Sequence, residues 1–153
     1  MFSKACEYAI RATLYISSNS LDGSTLSMKE IAKEIGSPIY FTAKILQTLS
    51  RHGIISSIKG PNGGFYLKPT ARPIHLSTIV QAMDGGDILG ACSLGLKKCS
   101  DHFPCPIHHD VKAYKDRLSR ILKEKTIQQL SGDLADGKTF LRNFRSASSA
   151  RHR

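Results

Sequence analysis

Cys92, Cys99 and Cys105 fall within fourteen residues, and His108 and His109 follow directly. Six residues separate the first two cysteines, five the next two, and two stand between Cys105 and His108. Thiolate sulfur is soft and polarizable, so such side chains can hold an iron–sulfur cluster or zinc, with imidazole completing either site. Lys97 and Lys98 would help keep the thiols ionised. Zinc sites usually contain a close pair such as C-x-x-C, and none occurs here. Wide gaps suit a larger inorganic cluster. Structural zinc through Cys92, Cys99, Cys105 and His108 stays open, as do three unligated thiols. The fourth cysteine, Cys6, lies on an apolar helix face and reads as a buried, inert thiol.

The cluster sits in residues 86–108, which are rich in Gly, Cys and Pro and have no sustained period: a loop. Before it, Leu76, Ile79, Val80 and Met83 mark a short helix stopped by Gly85-Gly86. After it, Val111, Tyr114, Leu118 and Ile121 alternate in steps of three and four, the seam of a packed helix pair. That seam is under two heptads and too short to hold a dimer alone. Thr126 and Gln129 then form a capping box ahead of Ile127, Leu130 and Leu134.

Upstream, residues 2–18 read as a helix with one narrow polar stripe: Lys4, Glu7, Arg11 and Ser18. Its other faces are apolar, which calls for packing against its own domain and a partner. Together with the seam, this predicts a homodimer. Ser27 and Glu30 read as a capping box, Ile31 and Ile35 as the buried face, and Gly36 as the stop. Ser37 is the expected cap of a second helix, residues 38–52, with Pro38 in its first turn and Gly53 closing it. Two short capped helices joined by a tight turn outline a helix-turn-helix.

The second of these helices sorts by period. Phe41, Ile45 and Leu49 should face the core, while Tyr40, Lys44, Gln47 and Arg51 point away. No carboxylate occurs from Pro38 to Pro69, whereas a merely solvated helix mixes both signs. That pattern favours a phosphate-facing surface. Residues 54–59 and 65–67 read as antiparallel strands around Gly60-Pro61-Asn62-Gly63-Gly64, a turn whose tip offers backbone amides, Lys59 and Asn62. A hairpin directly after a helix-turn-helix is a wing.

The net charge of +10 is uneven. Residues 1–75 carry nine positive and four negative charges (+5), residues 76–136 eight of each, and residues 137–153 five positive and none negative (+5). Double-stranded DNA is the usual partner of such a basic module. No apolar run approaches the ~20 residues that span a bilayer, and the first residues have no apolar signal region, so a cytoplasmic, membrane-free protein is expected. No nucleophile–base–acid set or phosphate loop supports an enzyme.

Specific stretches carry a resemblance: Glu7-Tyr8-Ala9-Ile10-Arg11-Ala12, Ile31-Ala32, Ile45-Leu46-Gln47-Thr48-Leu49, the wing Lys59-Gly60-Pro61-Asn62-Gly63-Gly64-Phe65-Tyr66-Leu67, and residues 76–85. Through them, residues 1–134 resemble the IscR/NsrR/BadM family of winged helix-turn-helix regulators, of the Rrf-two type. The resemblance implies a dimeric transcription factor whose long C-terminal helix pairs with the other subunit. It also implies that many members carry a 2Fe-2S or 4Fe-4S cluster on three loop cysteines, which fall on Cys92, Cys99 and Cys105. The histidine that completes the site in one branch falls on His108, with His109 adjacent. The first gap is one residue longer here than in the best-known cluster members, a change a loop absorbs at small cost.

The expected fold is mainly α with a small β-hairpin. It divides into a winged helix-turn-helix domain (residues 1–85), a sensor loop (86–108), a dimerisation helix with a following short helix (109–136) and a basic disordered tail (137–153). The expected function is a homodimeric repressor sensing redox, iron–sulfur or nitric oxide status. Its DNA contacts would be Tyr40, Lys44 and Gln47 on bases, with Arg51, Lys59 and Asn62 on phosphates. The rival readings are a cofactor-free or zinc-containing winged-helix regulator, and a redox protein whose DNA binding is incidental.

Overall fold

In the computed structural model, which describes residues 1–142, the first helix α1 spans Lys4–Asn19. It starts later than the periodicity predicts because Ser3 is its cap, accepting the Cys6 N–H at 3.1 Å. Both the backbone N–H and the hydroxyl of Ser3 also donate to the Asp84 carboxylate, tying this end of α1 to the end of α4 (Leu76–Asp84).

The remaining elements are α2 (Met28–Ile35), α3 (Ile39–Arg51), β1 (Ser56–Ile58), β2 (Gly64–Tyr66), α5 (His108–Glu124) and α6 (Ile127–Ala135), with a short 3-10 turn (Gly86–Ile88) at the start of the segment expected to be loop. The helix α1 is the hub, packing on α2, α3, α4 and α6. Ile16, Ile31, Ile35, Ile45, Leu46, Leu49, Ile79 and Ile127 are fully buried around it, each contributing about 1.5–3 kcal/mol by leaving water.

Several local expectations change. Ser27 does cap α2, accepting the Glu30 N–H at 3.2 Å, but the reciprocal half of the box does not form. The Glu30 carboxylate instead accepts the Tyr15 hydroxyl at 2.9 Å. Ser37 does not cap α3: its N–H donates to the Ala32 carbonyl at 3.0 Å, completing the left-handed Gly36 stop of α2. One further extended residue is then needed, so Pro38 takes the cap position without a side-chain bond. In α3, Thr42 and Leu46 join Ile45 and Leu49 in the core, while Phe41 is half-buried with its ring edge-on to Tyr8 at 5.7 Å.

The hairpin is shorter than predicted, with register Ser56↔Tyr66, Ser57↔Phe65 and Ile58↔Gly64. Ile54 and Ile55 dive into the core rather than extending the ladder. Leu26 and Phe65 exchange both backbone bonds (2.8 and 2.9 Å), anchoring the hairpin to the entrance of α2. Behind the hairpin, the α5–α6 junction is laced to the segment leading into α4. Leu76 N–H donates to the Lys125 carbonyl (3.1 Å) and Ile127 N–H to that of Ile74 (2.7 Å). The Gln128 amide accepts the Ile74 N–H at 3.0 Å and donates to the Arg72 carbonyl at 3.2 Å. The Thr126–Gln129 capping box forms in full.

Residues 137–142 of the expected tail fold back along α1, and residues 143–153 lie outside the described residues. Among the described residues no helix is long and apolar enough to cross a membrane.

Cys6 has no exposed surface and sits with Val80 and Leu122. Burial first, then the Asp84 carboxylate, push its thiol up to about 12. The folded state therefore prefers the protonated thiol, and this contribution is complete below the ordinary thiol value of 9 and lost as pH rises to about 12. Iodoacetamide at pH 8 should leave Cys6 unlabelled until the chain unfolds, as read by mass spectrometry. A Cys6→Ala variant should show a flatter loss of stability than wild type across that alkaline range; an equally steep one would contradict the assignment.

Candidate nucleic-acid interface and cysteine loop

The outward face of α3 is built by its period. Tyr40 is 86% exposed, and Lys44, Gln47 and Arg51 are exposed with it, opposite the buried Ile45 and Leu49. Alongside runs a groove that joins Ser27 at the start of α2 to Gln47 and Arg51 of α3 and to Lys59 and Gly63 of the hairpin. Among the described residues no carboxylate lines it. Asn62 is exposed at the hairpin tip, where its carbonyl accepts the Thr25 hydroxyl at 3.4 Å. The structure thus gathers Gln47, Arg51 and Lys59 in one groove, with Tyr40 and Lys44 further along the same helix. Cationic side chains beside a glycine-rich hairpin, in a trough whose described lining has no acid, are suited to phosphate oxygens.

In the loop, the sequence-predicted ligands meet as two pairs. Cys92 is buried, and its sulfur receives the N–H groups of Leu94 and Leu96. Those amides, with the Cys105 thiol and Lys115 nearby, hold it below the usual thiol value. Cys99 Sγ lies 3.4 Å from His108 Nδ1, and His108 is only 2% exposed. The other ring nitrogen, Nε2, is 2.8 Å from Asp101 Oδ1. Asp101 also accepts both bonds of the Lys112 ammonium (3.0 and 2.8 Å). Lys112 first, then His108, hold the Asp101 carboxyl down at about 2. Among the described residues no three His, Cys, Asp or Glu side chains close on one point.

Lys97 and Lys98, the expected partners of the thiols, are exposed. The cations that face the loop come from α5 instead: Lys112, and Lys115, whose ammonium donates to the Ala91 carbonyl. Asp101, Lys112 and Lys115 are the residues sequence reasoning missed. Lys112 stands one helical turn after His108, which was a usable signal.

Part of the expected seam of α5 is turned outward. Tyr114 and Ile121 are 58% and 42% exposed and Val111 is half-buried, while Leu118 and Leu122 pack inward beside Cys6 and Val80. The Tyr114 hydroxyl donates to Met1 Sδ at 3.0 Å, so the start of the chain lies along the same apolar strip.

The profile of the Rrf2 family, described as an iron-dependent transcriptional regulator, matches residues 2–133. The chain belongs to the Rrf2 family. A protein of Aquifex aeolicus assigned as an HTH-type transcriptional regulator is 32% identical over 132 residues, covering 85% of this chain and 90% of its own length. IscR of Pectobacterium atrosepticum is 24% identical over 123 residues, covering 80% and 74%. Among solved structures, CymR, the global cysteine regulator of B. subtilis, superposes with TM-score 0.70 at 19% identity, covering 86% of this chain and 96% of its own. T. potens IscR does so with TM-score 0.65 at 18% identity, covering 91% of each. This Rrf2 protein is accordingly a winged-helix, DNA-binding transcription regulator and not an enzyme.

The donor chemistry of its loop fits an iron–sulfur cluster. Backbone N–H groups already directed at the Cys92 sulfur are the kind that tune such clusters. His108 sets Nε2 against Asp101 and Nδ1 against Cys99, the carboxylate-backed arrangement typical of ligating histidines.

Proposed function

We propose that this Rrf2 regulator acts in the cytoplasm as a homodimeric repressor of double-stranded DNA, sensing redox, iron–sulfur or nitric oxide status through a cluster held by Cys92, Cys99, Cys105 and His108. One observation carries the DNA reading: the exposed face of α3 and the adjoining hairpin groove contain cations and amides and no acid. Tyr40, Lys44 and Gln47 meet base edges in the major groove, and Arg51, Lys59 and Asn62 hold phosphates. The exposed strip of Tyr114 and Ile121 on α5 pairs with a second copy, which sets two reading heads about one helical turn apart.

When bound, the cluster supplies a redox-sensitive link between loop and helix. The chain's own residues transmit the state of that link. His108 opens α5, while the other end of α5 is laced through residues 125–128 to the segment behind the hairpin. A shift at the start of α5 therefore reaches the wing through a hydrogen-bonded junction, and DNA affinity follows.

Anaerobic protein reconstituted with iron and sulfide should show visible absorption with iron bound, and Cys99→Ala should lose most of both. The mixed sulfur and nitrogen donors at Cys99 and His108 also suit zinc. A colourless protein carrying stoichiometric zinc would replace the cluster with that second reading.

A further inference from the structure

The ring of His108 is gripped from both nitrogens by one short stretch of chain. Cys99 Sγ stands 3.4 Å from Nδ1, and Oδ1 of Asp101, two residues further on, stands 2.8 Å from Nε2. The residue is 2% exposed, so its nitrogens depend on these partners rather than on water. The neighbouring His109 is placed differently. It is exposed, sets its ring edge-on to that of His108 at 5.4 Å, and pairs with no carboxylate among the described residues.

Asp101 has a second partner, since both its oxygens accept from the Lys112 ammonium (3.0 and 2.8 Å). That pair faces solvent, the Asp101 side chain being 64% and that of Lys112 43% exposed, and a solvent-facing ion pair does little to hold a loop. Beside an ammonium, however, the carboxylate remains ionised and can only accept. The proton in its contact with His108 therefore belongs to Nε2. Nδ1 is then the nitrogen able to ligate, and it already lies next to a thiol.

We propose that Asp101 is the positioning residue that makes His108, through Nδ1, the nitrogen ligand of the loop in place of His109. This rests on the reading of the loop as a cluster or zinc site and deepens it, because the stretch that brings the Cys99 thiol also orients the imidazole. A carboxylate behind a ligating histidine fixes its ring and tautomer, and removing it weakens metal affinity about 10- to 100-fold.

The test uses the full chain, loaded anaerobically with iron and sulfide and then challenged with increasing chelator. Asp101→Ala should lose its visible absorption at a roughly 10- to 100-fold lower chelator concentration than wild type. The melting temperature without metal should not change, because the side chain lies largely in solvent. Lys112→Ala breaks the ion pair but leaves the carboxylate beside His108, and should stay within roughly fivefold of wild type. Pulsed EPR of the reduced, loaded protein should show nitrogen coupling that Asp101→Ala alters and His109→Ala leaves intact. Equal chelator resistance in wild type and Asp101→Ala overturns the proposal, as does nitrogen coupling lost with His109→Ala. A Lys112→Ala loss as large as that of Asp101→Ala also overturns it, since Asp101 would then only staple the loop to α5. If wild type takes up no cluster, that reading fails by itself, and the same variants are compared with zinc alone by competition with a chelating dye. There, a 10- to 100-fold weakening by Asp101→Ala, roughly as above, supports the proposal and equal binding overturns it. A wild type that binds neither removes both.

Discussion

Tyr40→Ala, Lys44→Ala and Gln47→Ala, combined in one chain, should weaken operator binding by about two orders of magnitude or more and leave the melting temperature almost unmoved. Each good base contact discriminates by about 1–3 kcal/mol, so losing three costs upward of about 3 kcal/mol, or roughly 10²-fold. The fold should tolerate the change because all three side chains are exposed on the face opposite Ile45 and Leu49. Surface substitutions of this sort usually stay within about 0.5 kcal/mol. The variant should also lose sequence preference, retaining a weak, salt-sensitive affinity for any duplex through Arg51 and Lys59. Lys59→Ala should behave in the opposite way, lowering affinity on all sequences and reducing the salt slope by about 0.9. An unchanged preference between operator and scrambled duplex in the triple variant would mean that α3 does not lie in the groove.

The helices were legible where one force dominates. In α3 the apolar period alone fixes which side is buried, and Ile45, Leu49, Tyr40 and Lys44 all fall where it puts them. Caps were legible only in part, since a serine or threonine before a helix has more than one outlet. Thr126 and Gln129 satisfy each other, but Glu30 finds the Tyr15 hydroxyl, and Ser37 is claimed by the end of the preceding helix. Both outcomes depend on packing between segments distant in sequence, which local patterning does not encode. The same holds for Ile54 and Ile55: their residue types favour strand, but the pull of the core shortens the ladder.

The candidate site divides in the same manner. Cysteine spacing announced the loop ligands, because soft donors at fixed separations need no tertiary knowledge to be noticed. What orients them did not appear. The Asp101 carboxylate behind His108 and the α5 ammonium groups near the thiols depend on how the loop is laid on α5. Lys97 and Lys98, adjacent in sequence to Cys99, turn to solvent because long charged side chains in an open loop gain more from water than from a thiol. Along the hairpin the situation reverses. Its glycines dictate backbone geometry directly, so the turn is readable residue by residue.

That directness makes Gly63 the most sensitive single position in the DNA-facing surface. A methyl group there would collide with the carbonyl oxygens of Ile58 and Gly60, both backbone atoms of the same tight turn. Neither can move without opening the Ile58↔Gly64 pairing, and Gly60, at φ +108°, already has a conformation that side-chain-bearing residues rarely adopt. Gly63→Ala should therefore displace the turn rather than adjust it, carrying Lys59 and Asn62 out of register with α3. Operator affinity should fall about tenfold or more, as expected for losing at least one charged phosphate contact together with its positioning. Stability should fall by about 1–3 kcal/mol, because the Leu26–Phe65 backbone pairing links the hairpin to the entrance of α2. In a thermal melt that is a drop of roughly 2–12 °C for a chain of this size. Asn62→Ala, one residue away and exposed, is the control: it removes a side-chain contact without touching the turn and should leave the melt unchanged. If Gly63→Ala instead bound operator as tightly as wild type, the turn would have to tolerate a geometry that its own backbone carbonyls forbid, and the hairpin could not be a fixed part of the reading head.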